Sequence, residues 1–103
     1  MKATLSRAAT RDLLEVASAI GKDSRRAARA FRAAIDEALT MIGRHAEIGA
    51  ERLELAAPPI RFWTMRRYPY VIAYNAGRVP PRVLRVVHGA RDLPELFSGL
   101  RSA

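Results

Sequence analysis

The chain has 103 residues, half of them hydrophobic and 27% charged, which bounds it to one globular domain with a modest core and no large enclosed substrate cavity. It has no cysteine, so disulfide scaffolds and thiolate chemistry are excluded, and no stretch nears the roughly 20 apolar residues of a membrane span. The net charge of +8 is unevenly placed: residues 1–60 hold ten Lys/Arg against eight Asp/Glu, whereas residues 61–103 hold eight Arg against Asp92 and Glu95. A field of that kind attracts polyanions, either nucleic acid or an acidic protein partner. Met1 to Lys22 lacks the continuous apolar core of a secretion signal, so a cytoplasmic location is expected.

Ala3 to Leu5 reads as a short strand, with Ser6 placed to cap a helix directly after it. From Arg7 to Ile20 the residues Ala9, Leu13, Val16, Ala17 and Ile20 recur at steps of three and four, one stripe of a helix that Gly21 is expected to end. Ser24 can cap a second, alanine-rich helix from Arg25 to about Arg44, striped by Ala27, Phe31, Ala34, Ile35, Ala38, Leu39 and Ile42. The short link makes the two an antiparallel hairpin. Residues 45–59, with Gly49 and Pro58-Pro59, form a loop with room for one further turn. Ile60 to Met65, Tyr70 to Tyr74 and Arg82 to His88 then read as three strands, joined too tightly for anything but an antiparallel meander. Gly89 stops the last strand, and Asp92 with Glu95 suggests the start of a short helix from Leu93 to Leu100. The fold class expected is α+β: an N-terminal strand, an antiparallel helix hairpin packed on an antiparallel meander with one apolar face, and a short C-terminal helix.

Alternation along the last strand puts Leu84, Val86 and His88 on one face with Arg82, and Val83, Arg85 and Val87 on the other. On the first meander strand Arg61, Trp63, Met65 and Arg67 share a face. Arginines interleaved with aromatic residues can stack, and can grip phosphate or carboxylate through two parallel hydrogen bonds. Trp63, Tyr70 and Tyr74 serve equally as packing residues. His88 could be a general base or could simply secure a strand end. Arg91 and Asp92 read as a local ion pair with Asp92 capping a helix, and Arg25, Arg29 and Arg32 share a solvated stripe with Asp36. No metal-ligand spacing, phosphate-cradling glycine loop or Ser-His-acid set occurs, so neither cofactor nor metal is expected.

Asp12-Leu13-Leu14-Glu15, the alanine-rich second helix, Ile48-Gly49 and Arg61 resemble the ParE/RelE superfamily of bacterial toxins. So, more specifically, do Tyr68-Pro69-Tyr70-Val71-Ile72-Ala73-Tyr74 and Arg85-Val86-Val87-His88-Gly89-Ala90-Arg91-Asp92. The resemblance runs over essentially the whole chain. It implies a single toxin domain neutralised by a cognate antitoxin, ParD-like or similar, whose acidic amphipathic segment wraps it. RelE-like members are ribosome-dependent mRNA endoribonucleases. They carry an arginine in the middle meander strand and a tyrosine or histidine pair near the C-terminus. Here the strand Tyr70 to Tyr74 has no basic residue, and Gly89 and Ala90 follow His88. The ParE-like reading is therefore the one expected: inhibition of DNA gyrase without catalysis. Arg61, Trp63, Arg67, Tyr70, Arg85, His88 and Arg91 are the partner-binding candidates, while a ribonuclease would have to use Arg61, Arg85 and His88. A third possibility is a family member kept only as an interaction or nucleic-acid-binding module, whose binding would weaken with salt according to the number of phosphates it neutralises.

Overall fold

The computed structural model describes residues 1–93. β1 (Thr4–Leu5) leads into α1 (Arg7–Asp23) and α2 (Arg25–Arg44), and a 3-10 turn at Ala46–Ile48 precedes β2 (Ile60–Thr64), β3 (Tyr70–Asn75) and β4 (Arg82–His88). The helix expected from Leu93 to Leu100 lies, beyond its first residue, outside the described residues.

Both helix starts are set by serines, as the sequence indicates. Ser6 Oγ accepts the Ala9 N–H at 3.0 Å and donates to the Leu84 carbonyl at 2.8 Å, so one hydroxyl caps α1 and ties it to the sheet. Ser24 Oγ accepts the Ala27 N–H at 3.1 Å. α1 does not stop at Gly21: it runs on to Asp23, and Ser24 alone separates the helices. The extended backbone of Ser24 (φ −159°, ψ 119°) lets its N–H close α1 on the Ile20 carbonyl while its side chain opens α2, so one residue does both jobs. Ala27, expected in the buried stripe of α2, is exposed, because the stripe closes at Phe31 and leaves the first turn in solvent.

The sheet order is β1-β4-β3-β2, with β2, β3 and β4 an antiparallel meander. β1 adds a parallel edge to β4, pairing Thr4 with Arg82 and Leu5 with Val83, so the sheet is mixed. Ala9, Ala17, Phe31, Ile35, Ala38 and Ile42 of the hairpin meet Ile72, Tyr74, Val83 and Val86 in the main core. Burial of a side chain such as Phe31 stabilises by about 1.5–3 kcal/mol.

The strict alternation expected along β4 fails. Ala73 pairs with Arg85 but Tyr74 pairs with Val83, so the register skips Leu84. Val83 and Val86 consequently share the helix-side core while Val87 joins the opposite face, a re-aiming that a one-residue irregularity produces. The sheet is also apolar on both faces. Phe62, Val71, Ala73 and Val87 pack under Leu55, Ala56 and Leu93, which form a second, smaller core.

Candidate functional site

The outer edge of β4 extends past the two residues that β1 covers, and buried backbone donors there need partners. Asp12 of α1 supplies one. Its carboxylate accepts the Val86 N–H at 2.9 Å and, at the same time, a forked pair of bonds from Arg85: Nε at 2.9 Å and Nη2 at 3.0 Å. The bond to Asp12 raises the Arg85 pKa further above its ordinary value, and partial burial only opposes it. Asp12 was legible only as part of a family-like pattern, yet it sits beside the apolar stripe of α1, where a carboxylate is well placed to reach a sheet edge.

A second assembly holds the turn after α2. The Tyr74 hydroxyl is fully buried, donates to the Ala46 carbonyl at 2.6 Å and accepts the Gly49 N–H at 2.8 Å. Arg61 Nη1 donates to the Gly49 carbonyl at 2.7 Å and to the Glu47 carbonyl at 3.3 Å. A Cβ on residue 49 would stand 2.7 Å from the Tyr74 oxygen, so the contact requires glycine. Burial raises the Tyr74 pKa, while the Gly49 N–H and the Arg61 charge pull it down.

The third group lies at the other end of β3. Tyr70 and His88 are cross-strand partners with rings edge-on at 5.8 Å, and Phe31 meets Tyr70 at 5.8 Å and Tyr68 at 5.0 Å, both also edge-on. His88 Nδ1 accepts the Arg91 N–H at 3.2 Å, and the His88 N–H donates to Asp92 at 3.3 Å. Nδ1 is thus occupied by the backbone of the turn that follows β4. The Arg91–Asp92 ion pair expected from sequence does not form among the described residues. Asp92 instead closes the turn on His88: its carboxylate takes the His88 N–H, and its own N–H donates to the His88 carbonyl at 2.9 Å.

The candidates therefore separate. Arg67, Tyr70, His88 and Arg91 gather at one end of the sheet, with Arg67 and Arg91 exposed. Trp63 lies opposite Ile72 and packs, half-buried, on the helix-side core. Arg61 pairs with Tyr74 on β2 and Arg85 with Ala73 on β4, two strand spacings of about 5 Å apart, and His88 lies three residues or about 10 Å along from Arg85. Each is drawn to a different internal partner: Arg61 to the Gly49 and Glu47 carbonyls, Arg85 to Asp12, and His88 to the Arg91 N–H. Among the described residues no three side chains of metal-ligating type come together.

Residues 3–93 match the family model described as ParE toxin of type II toxin-antitoxin system, parDE. The chain is similar to a solved structure described as "Chromosomal ParDE TA system from P. aeruginosa": 21% identity, TM-score 0.69, covering 85% of this chain and 95% of that one. No curated protein matches the chain.

Proposed function

The chain belongs to the ParE toxin family of type II toxin–antitoxin systems, and on that premise we propose that it acts by gripping DNA gyrase, with no chemistry of its own. The observation that carries this reading is the Asp12–Arg85 fork. A ribonuclease site on this sheet would need Arg85 to meet a phosphate, and both donors of its fork are already on an internal carboxylate. The commitment of Arg61 to the Gly49 and Glu47 carbonyls and of His88 Nδ1 to the Arg91 N–H supports the same reading.

The toxin has an antitoxin partner, as its family does. The contact surface is the sheet end bearing Arg67, Tyr70, His88 and Arg91, where two exposed guanidinium groups flank a half-buried aromatic pair. That combination suits an acidic amphipathic segment: aromatic anchors supply the affinity and opposite charge supplies the speed of encounter. Arg61, Trp63 and Arg85 hold the sheet that presents it. The described residues contain no helix long and apolar enough to cross a membrane, and a gyrase target places the action in the cytoplasm.

The test is expression of the chain without its antitoxin. Protein-linked DNA breaks with full-length ribosome-bound messages are expected. Cleaved messages with undamaged DNA would replace this reading with the ribonuclease one.

A further inference from the structure

The N-terminal half of α2 carries an arrangement that folding alone does not explain. Residues 25–32 contain Arg25, Arg26, Arg29 and Arg32 and no acid, and all four are exposed. Arg25, Arg29 and Arg32 follow one another at steps of four and three and so share a stripe about 10 Å long. Asp36, which ends that stripe, is held by Lys2. The first turn of α2 has no acidic residue, so these cations crowd the positive end of the helix dipole and repel one another. Asp23, just before the Ser24 cap, is the acid nearest in sequence.

A second basic element adjoins this one. Arg66 and Arg67, both exposed in the turn between β2 and β3, are followed directly by Tyr68, whose ring stands 5.0 Å from that of Phe31 on α2. The ion pairs among the described residues are Lys2–Asp36, Arg52–Glu54 and Arg85–Asp12, so none of these arginines has an internal carboxylate partner there. Beside the helix arginines the exposed side chains are Ala27, Ala30 and Ala33. Alanines provide no anchor for a protein interface, but they let a helix lie close to a smooth charged rod. Phe31 is only 1% exposed, so no aromatic platform is offered to unpaired bases.

We propose that the first two turns of α2, with the β2–β3 turn, form a face that binds duplex DNA through its phosphates without reading sequence. Arg25, Arg29, Arg32, Arg66 and Arg67 contact the backbone, and the polyanion relieves the repulsion built into the helix start. The face uses none of the residues of the Asp12–Arg85 and Tyr74–Gly49 assemblies, shares only Arg67 with the antitoxin surface, and does not depend on gyrase being the target.

The test uses the purified chain alone, without gyrase or antitoxin, and fluorescence anisotropy on two unrelated DNA duplexes of about 24 base pairs, from about 50 to 200 mM salt. Equal affinity for both sequences is expected, with log affinity falling against log salt at a slope of about −4 to −5 for five neutralised phosphates. Arg25→Gln/Arg29→Gln/Arg32→Gln should make that slope shallower by about 3. The same variant should melt at or above the parent's temperature, because it removes like-charge repulsion and keeps a good helix former. No binding at low salt, or a slope the variant leaves unchanged, would overturn the proposal. Because gyrase is absent, none of these outcomes bears on the gyrase reading.

Discussion

The arginines of the sheet and the arginines of α2 are the same residue put to opposite uses. Arg85 and Arg61 stand where backbone carbonyls or a carboxylate lie within reach, and each directs its donors inside the molecule. Arg25, Arg29 and Arg32 stand on a solvated helix start with no acid beside them. The local supply of acceptors, not the overall charge, separates guanidinium groups that hold the fold from those left for a polyanion. Counting basic residues would place the functional field in residues 61–103. The structure shows that two of the eight arginines there, Arg61 and Arg85, are already committed internally.

The sharpest way to break this contrast is Asp12→Ala. It strands the Val86 N–H and both arms of the Arg85 fork, and should destabilise the fold by about 2–3 kcal/mol, less than a fully buried pair because the Arg85 side chain is 40% exposed. Urea denaturation reads it directly, and a loss near zero would put Arg85 in the same class as the α2 arginines. Tyr74→Phe comes next. It leaves the Ala46 carbonyl and the Gly49 N–H without a partner, for about 1–2 kcal/mol by the same measurement.

Tyr74 also predicts a pH dependence. Its folded pKa is raised above the ordinary 10.0 by burial, so the fold favours the neutral phenol. That contribution is complete below the unfolded value and is lost as pH rises from there through the folded value. Stability should therefore fall in the alkaline range above about pH 10, and the Tyr74→Phe variant should lack that component of the fall. The smallest effect, with the opposite sign, is the slight gain expected on neutralising the α2 stripe.

Much of the fold was legible because it rests on local rules. Ser6 and Ser24 mark both helix starts, the two apolar stripes give the hairpin, and the meander follows from short connections. What was not legible depends on distant partners. The skipped Leu84, the parallel pairing of β1 with β4 and the second core beneath Leu55 and Leu93 arise from contacts that periodicity does not encode. One signal was present: Val71-Ile72-Ala73-Tyr74 is a continuous apolar run, the pattern of a strand covered on both faces. The candidate residues were identified by type, but their roles were decided by neighbours. Arg85 could be assigned only once Asp12, 73 positions earlier, stood opposite it.

Binding and catalysis differ most plainly in how much protein each requires. Purified toxin titrated into a gyrase supercoiling reaction, with ribosome-bound message assayed in parallel, separates them. A toxin that grips its target should abolish supercoiling in proportion to the amount added, reach a sharp endpoint at the stoichiometry of the complex, and leave the message whole. Message consumed by trace amounts of toxin, with supercoiling untouched, would contradict that claim.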